Sequence, residues 1–320
     1  MAVIKLSPAF KDYLWGGTKL KETYHKQTEL EVVAESWEVS THPDGASRVV
    51  SGPDAGKTLA EYIKYYGTQI LGERAQDFDF FPILVKFIDA KCDLSIQVHP
   101  NDEYGLEHEG EYGKTEMWYI LEADPDAAIY YGTQTSLTPD MFAQAIESNT
   151  VLEVLNRVPV QKGDVVFVEA GTLHAIGAGI VICEIQQNSN TTYRVYDFNR
   201  QDAKGRTREL HIKQALEVSN LEPLNTQFKP QGTLTQYDTY QKQCLIACPY
   251  FKTTRIDVYG EMMLDVDGLS FNAWVVLEGE MTISHHQNTL MVNAGETVFI
   301  EAQTIGITVN GSATFLKISV

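Results

Sequence analysis

Short runs in which apolar and polar residues alternate dominate the chain and predict β-strands. In Leu94–His99, side chains of successive residues point to opposite faces, so Ser95, Gln97 and His99 share one face and three apolar residues share the other. The same reasoning predicts seven strands: Val85–Asp89, Leu94–His99, Glu116–Leu121, Asp164–Glu169, Ile180–Gln186, Ala273–Leu277 and Thr297–Glu301.

Only a few segments carry helical signals. Thr58 and Glu61 have the spacing of a capping box, which predicts an amphipathic helix that ends near Gly72. Thr138 followed by Pro139 predicts a second helix start, before Met141–Glu147. The remaining predicted helices are a short one opened by a second capping box at Thr150–Glu153, and Glu209–Val218.

The chain contains an internal repeat. Residues 163–172 (GDVVFVEAGT) resemble residues 295–304 (GETVFIEAQT), and the upstream strand 117–122 resembles 273–278. Many short strands in two similar halves predict a mainly β protein with two antiparallel jelly-roll barrels and a few added helices. The proline- and glycine-containing segment Leu221–Thr233 is the predicted linker. We therefore expect a catalytic domain over residues 1–225 and a degenerate barrel without a metal site over 234–320.

Composition and charge narrow the classes of function. The 320 residues carry a formal net charge of −18, which disfavours binding to nucleic acid or to anionic membranes. No apolar run approaches the length of a membrane span, and the first ten residues lack a signal-peptide core. We expect a cytoplasmic protein, in which an anionic ligand would need cations placed at its site.

Four polar residues of the predicted strands and turns could hold one metal ion. Gln97, His99, Glu116 and His174 would provide two imidazoles, one carboxylate and one amide oxygen, a set that suits a borderline divalent ion such as Zn²⁺. The alternative is that these polar faces simply meet water, as half-exposed sheets do. The repeat favours the metal, because its second copy has Asn272 opposite Glu116 and Gly306 opposite His174 while it keeps the packing residues.

In its ordered motifs the sequence resembles the type I mannose-6-phosphate isomerases of the cupin superfamily, in their shorter bacterial form. The most specific matches are the stretches LSIQVHPND at 94–102 and KTEMWY at 114–119. The others are WGG at 15–17, ESWEVS at 35–40, GTLHA at 171–175 and YRVYD at 193–197.

The resemblance implies two cupin-type barrels and one Zn²⁺ per chain, bound by Gln97, His99, Glu116 and His174. It also implies that mannose 6-phosphate and fructose 6-phosphate are interconverted through a cis-enediol(ate). Carried over by position, the catalytic arginine is Arg194, the active-site lysine and serine are Lys114 and Ser95, and an acid that assists proton transfer is Glu184. The implied partner is a small sugar phosphate, and the oligomeric state is left open.

Two other classes compete with this interpretation. A cupin oxygenase would use iron with two histidines and a carboxylate, whereas the Gln97 ligand and the nearby Lys114 and Arg194 favour a sugar phosphate. A non-catalytic sugar-binding cupin would not require Glu184. Surface ion pairing is the alternative for Lys114 and Arg194, and their division between phosphate binding and enediolate stabilisation stays open at this stage.

Overall fold

The fold, obtained as a computed structural model, is mainly antiparallel β-structure, as the sequence predicts. The structure describes residues 2–50, 52–201, 204–224 and 227–320. Its strands are β1 Val3–Ser7, β2 Ala9–Lys11, β3 Glu35–Val39, β4 Arg48–Val49, β5 Ile83–Ala90, β6 Ile96–Val98, β7 Glu116–Ala123, β8 Ala128–Thr133, β9 Leu155–Pro159, β10 Val165–Val168, β11 His174–Ala175, β12 Ile180–Gln187, β13 Tyr193–Tyr196, β14 Thr235–Gln236, β15 Tyr240–Ala247, β16 Lys252–Val258, β17 Glu261–Leu264, β18 Asn272–His285, β19 Asn288–Asn293, β20 Thr297–Ile300 and β21 Ile307–Ser319.

Among the described residues, six short α-helices and three single turns of 3₁₀ helix connect the strands. The α-helices are α1 Lys19–Glu22, α2 Leu59–Tyr66, α3 Asp102–His108, α4 Pro139–Glu147, α5 Val151–Val154 and α6 Ile212–Val218, and the 3₁₀ turns are Gly52–Asp54, Thr68–Leu71 and Arg74–Asp77. Within the described residues, no helix is both long and apolar enough to span a bilayer.

The N-terminal unit is built from two sheets that face each other. One has six strands in the order β10-β7-β12-β5-β3-β2, and the other has five in the order β13-β6-β11-β8-β9. Apolar side chains from both sheets, among them Ile88, Trp118, Ile129 and Tyr131, form one buried cluster. This arrangement leaves one end of the space between the sheets for polar side chains.

The C-terminal unit repeats most of this topology within one ten-stranded sheet that also includes β1 and β4. The strand order β20-β18-β21-β16-β15-β14 matches the six-stranded sheet, and β19-β18-β21-β17 matches β9-β8-β11-β6. The register is also repeated, since Glu116 pairs with Val168 and Asn272 pairs with Ile300. Both β7–β12 and β18–β21 have a register shift at the equivalent place. The repeated order is consistent with the two predicted barrels, and it shows that the sequence repeat is a structural one.

The two units pack against each other through the outer faces of their six-stranded sheets. Val85 and Phe87 from one sheet and Val275 and Phe299 from the other belong to the same buried cluster. The N-terminal strand β1 pairs with β20, so the first residues of the chain join the C-terminal sheet. The two units are therefore joined both by apolar packing and by a shared strand.

Several predicted boundaries need correction. The capping box at Thr58 and Glu61 forms, but α2 ends at Tyr66, because Gly67 takes a positive φ of 87° before the 3₁₀ turn begins. Leu94–His99 is a strand only over its three central residues, and α6 begins at Ile212 rather than at residue 209.

The second predicted capping box is wrong, although a short helix follows it. The hydroxyl of Thr150 donates to the carbonyl of Ala145 at the end of α4, so it does not cap α5. Helix α3 was not predicted, because the sequence Pro-Asn-Asp at 100–102 suits a turn equally well. In the structure the Asn101 side chain accepts a hydrogen bond from the Tyr104 N–H and caps this helix.

Candidate metal centre and active-site cavity

Strand pairing brings the four predicted ligands together at one end of the N-terminal unit. His174 on β11 lies directly opposite Gln97 on β6, and His99 follows the end of β6. Glu116 is the first residue of β7, in the facing sheet. The ligand set thus spans both sheets, which explains why residues so far apart in sequence converge.

The two histidine rings are oriented so that their Nε2 atoms face Glu116. His99 Nδ1 lies 2.9 Å from the carbonyl of Thr191, and His174 Nδ1 lies 2.8 Å from that of Thr172. Each Nδ1 must therefore carry the proton, and each Nε2 keeps its lone pair. This is the usual way in which proteins fix a metal-binding histidine. The Nε2 atoms of His99 and His174 lie 3.6 Å and 3.4 Å from the Glu116 carboxylate oxygens.

Among the described residues, His99 Nε2 has no hydrogen-bond partner, and Glu116 Oε2 has no contact to a donor beyond its ion pair with the Lys114 ammonium, at 3.2 Å. An unpaired buried lone pair is costly, and here one acceptor faces another. The candidate donor atoms of His99, Glu116 and His174 all lie within 4.8 Å of one another. A divalent cation between them would satisfy each atom, so the residues fit a metal.

Burial sets the charge states in the way such a site requires. It lowers the pKa of His99 well below its ordinary value and that of His174 to about 4, which keeps both rings neutral. Burial also raises the pKa of Glu116 to about 7, despite the Lys114 ammonium 3.2 Å away. A bound cation would reverse this last effect and hold Glu116 ionised.

Gln97 completes the set only through its amide oxygen. The structure places its Nε2 3.3 Å from His174 Nε2. The two ends of an amide group are nearly alike in shape, and their assignment follows from hydrogen-bonding partners. A half-turn of the amide would place Oε1 beside His174 Nε2 instead. Gln97 is thus positioned to be the fourth ligand.

A cavity of about 340 Å³ opens beside these residues. Ser95, Gln97, Lys114, Glu184 and Arg194 all line it, so the structure gathers every predicted substrate-binding and catalytic residue around one space. The volume lies within the range of small-molecule sites.

Lys114 owes its position to a close approach of two backbone segments. A Cβ on Gly113 would lie 2.3 Å from the carbonyl carbon of Asn101, so only glycine fits there. The Gly113 N–H donates to Asp102 Oδ1, and the Lys114 N–H donates to the carbonyl of Pro100. The start of α3 therefore fixes the lysine beside Glu116.

Glu184 lies in a buried network that sequence reasoning found only in part. Its Oε2 is 3.3 Å from the ammonium of Lys86, and Glu35 Oε2 is 3.6 Å from the same nitrogen. Trp118 Nε1 donates to both Glu116 and Glu184. Burial raises the pKa of Glu184, but Lys86 and Lys114 outweigh it and hold that pKa below its ordinary value. A lone lysine within the apolar run of β5 was the available sequence signal for Lys86.

Arg194 lies on β13, opposite Gln97, at the wall of the cavity. Its Nη1 donates to the carbonyl of Glu209, and its buried Nε has no partner among the described residues. Arg208 also lines the cavity, and Asp197 Oδ2 accepts a 2.8 Å hydrogen bond from its Nε. Sequence reasoning missed Arg208, whose only signal is its place in a short basic segment after the YRVYD stretch.

Comparison with known proteins agrees with this geometry. The model of the type I phosphomannose isomerase catalytic domain matches residues 3–128, and that of the mannose-6-phosphate isomerase cupin domain matches residues 241–320. A probable mannose-6-phosphate isomerase of Bacillus subtilis is 36% identical over 97% of both chains. A mannose-6-phosphate isomerase of the same organism is 39% identical over 85% of this chain and 84% of that protein.

The fold comparison extends over the whole length. The crystal structure of a mannose 6-phosphate isomerase from Bacillus subtilis superposes with a TM-score of 0.92, at 33% identity, and each chain is covered completely. The predicted family is confirmed: this chain belongs to the type I mannose-6-phosphate isomerases, also called type I phosphomannose isomerases.

Proposed function

We propose that this protein interconverts mannose 6-phosphate and fructose 6-phosphate with one Zn²⁺ held by Gln97, His99, Glu116 and His174. The observation that carries the proposal is the pair of fixed imidazole lone pairs aimed at the buried Glu116 carboxylate, beside a cavity whose lining includes Glu184, Lys114 and Arg194. Two neutral imidazoles, a carboxylate and an amide oxygen suit zinc.

An aldose–ketose isomerisation moves a proton between C1 and C2, through a cis-enediol(ate). It needs a base beside the carbon and positive charge beside the developing oxyanion. The zinc ion would supply Lewis-acid polarisation of sugar oxygens. The base and the further positive charge must come from the side chains that line the cavity.

Glu184 is the proposed proton carrier. Its lowered pKa keeps it ionised at neutral pH, and it faces the cavity from the sheet that holds Glu116. A single carboxylate at this position would remove the proton from one carbon and return it to the next. Lys86 and Trp118 hold this carboxylate in place.

Lys114 and Arg194 are the proposed contacts to the anionic groups of the substrate. Lys114 lies 3.2 Å from Glu116, next to the metal site, which suits stabilisation of the enediolate. Arg194 is farther out and offers a planar pair of donors, which suits a phosphate. Ser95 is buried and adds a hydroxyl to the wall of the same cavity.

We further propose that residues 1–225 carry the catalysis and that residues 234–320 form a structural module without a metal site. Within the described residues, the only cluster of three or more metal-capable His, Cys, Asp or Glu side chains is His99, Glu116 and His174. Asn272 lies where Glu116 lies in the other unit, which supports this division.

The proposal is tested with purified protein in an assay that couples fructose 6-phosphate formation to reduction of NADP⁺ by auxiliary enzymes. We expect turnover of mannose 6-phosphate that is lost on chelation and restored by Zn²⁺. Metal content per chain is measured in parallel. Full turnover after complete removal of the metal would refute the metal assignment, and a zinc-loaded protein without turnover would refute the activity.

A further inference from the structure

The C-terminal unit contains a cavity at the place that corresponds to the active-site end of the N-terminal unit. Its volume is about 700 Å³, and strands β14 to β18 and β21 contribute to its wall. Asn272 lines it, and Asn272 has the same register position in β18 that Glu116 has in β7. We call this space the C-terminal cavity.

Duplication has changed the charges at the equivalent positions. In the N-terminal unit Glu184 pairs across the sheet with Trp118, and in the C-terminal unit Lys317 pairs with Trp274. Lys317 therefore occupies the place of the carboxylate Glu184. An asparagine replaces one carboxylate and a lysine replaces the other, so a site suited to cations has become one suited to anions.

The lining of the C-terminal cavity is cationic, although the chain as a whole is acidic. Lys242, Lys252, Lys317 and Arg74 line it, against the two carboxylates of Asp265 and Asp267. Among the described residues, no carboxylate lies within ion-pair distance of the three lysines. The two aspartates already accept main-chain hydrogen bonds, from Gly306 at 2.7 Å and from Leu269 at 3.0 Å.

Two buried polar atoms also lack partners among the described residues. Asn272 Oδ1, on a cavity-lining side chain only 4% exposed, is an acceptor and suits a hydroxyl group of a ligand, whereas the indole Nε1 of Trp274, which pairs across the sheet with Lys317, is a donor. The equivalent indole of Trp118 donates to Glu116 and Glu184, both of which are replaced here. Burial, and then the neighbouring Lys252, lower the pKa of Lys317, which means that an anion beside this ammonium would be favourable.

We propose that the C-terminal cavity is a second binding site, specific for a small metabolite that carries a phosphate group. Arg74 is already engaged, since its Nη1 donates to the Val320 oxygen at 3.3 Å, whereas the three lysines have no carboxylate partner among the described residues. A phosphate monoester, with a charge of about −1.5 to −2 at neutral pH, would supply that partner. The volume admits a phosphorylated sugar as well as inorganic phosphate. The site is separate from the metal centre and does not depend on the proposed activity.

The duplicated tryptophans provide a matched pair of reporters for this site. The chain has four tryptophans, so an ¹H–¹⁵N spectrum of the indole groups has four resolvable signals, assigned through Trp118→Phe and Trp274→Phe. Inorganic phosphate, fructose 6-phosphate and uncharged fructose are titrated separately. We expect the Trp274 signal to move and saturate with at least one phosphate compound and to stay in place with fructose.

Variants separate the two sites. Lys317→Met keeps the length of the side chain and removes its charge, so we expect the Trp274 response to weaken about tenfold or more, the scale of one charge-assisted hydrogen bond. In this variant, turnover and the change in the Trp118 signal on addition of fructose 6-phosphate should be the same as in the wild type. Lys213→Met is the control, because Lys213 is an exposed helical lysine with 86% side-chain exposure.

If Lys317→Met does not fold, Lys252→Gln tests the same charge at an exposed position of the cavity wall. A Trp274 signal that does not move with either phosphate compound at millimolar concentration would overturn the proposal. An unchanged Trp274 response in the folded lysine variant would also overturn it. In the wild-type protein, absence of turnover together with a Trp274 signal that moves and saturates would instead count against the proposed activity alone.

Discussion

Glu184 and Glu35 form a matched pair that can test the proposed proton carrier. Each is a buried carboxylate near the ammonium of Lys86, at 3.3 Å and 3.6 Å. Each also accepts a hydrogen bond from an indole, that of Trp118 for Glu184 and that of Trp37 for Glu35. Replacing either one by glutamine removes one negative charge, keeps the shape and leaves Lys86 with one carboxylate.

The two substitutions should therefore have similar effects on stability but different effects on turnover. We expect each to lower the free energy of unfolding by about 1–3 kcal/mol, the scale of a perturbed buried hydrogen bond to a charged group. If Glu184 carries the proton, Glu184→Gln should lower kcat by about 10²–10⁴-fold, the contribution of a positioned general base. Glu35→Gln should lower kcat by less than about tenfold, because Glu35, although it also lines the cavity, is not the proposed proton carrier.

The assay measures kcat with mannose 6-phosphate together with zinc content and thermal midpoint for both variants. Incorporation of solvent deuterium at C2 of the sugar, followed by NMR, reports proton transfer directly and should fall with kcat in Glu184→Gln alone. Equal losses of turnover in the two variants would refute the assignment, because the effect would then belong to the charge of Lys86. Near-normal turnover in Glu184→Gln would refute it as well.

Three further predictions concern the metal centre, the arginine and the C-terminal unit. His174→Ala should reduce bound zinc and turnover together, while circular dichroism stays close to that of the wild type, because alanine keeps the strand pairing of β11 and the sequence repeat aligns a small residue, Gly306, with His174. Full zinc content in this variant would contradict the ligand assignment. Arg194→Lys should lower turnover by about 10²-fold with zinc retained, because a lysine cannot make the bidentate contact to an anion that an arginine makes. Unchanged turnover would show that Arg194 has no catalytic role. Replacing both His285 and His286 by alanine should leave zinc content and kcat near wild type, since both lie at the β18–β19 hairpin turn; a large loss without unfolding would show a catalytic role for that unit.

The parts of the fold that sequence predicted well are those with a local signal. The alternation in β7 and β12, the capping box at Thr58 and the repeat itself can each be read within a short window, and all are present in the structure. Helix α3 was missed for a physical reason: an asparagine after a proline has the same preference for a turn as for a helix N-cap. Tertiary packing decided between the two.

Site residues could be predicted only where the residue type and its position on a strand were informative without knowledge of the spatial neighbours. The four candidate ligands stand out because histidine and glutamate on a strand face are unusual, and the structure gathers them. Lys86 is different, since a lysine within an apolar run becomes informative only when β5 is known to lie beside β12. Strand order is a long-range property, so this ion pair with Glu184 could not be read from the sequence.

The same limit explains why the two halves of the chain look more alike in sequence than they are in chemistry. The repeat aligns the packing residues, whereas the exchange of Glu184 for Lys317 becomes visible only through the pairing of each with its tryptophan. A sheet keeps its register through the apolar side chains of its core, so the polar residues at its open end are free to change without loss of the fold. In this chain the conserved register has allowed one unit to keep carboxylates where a cation would bind, and the other to place lysines there.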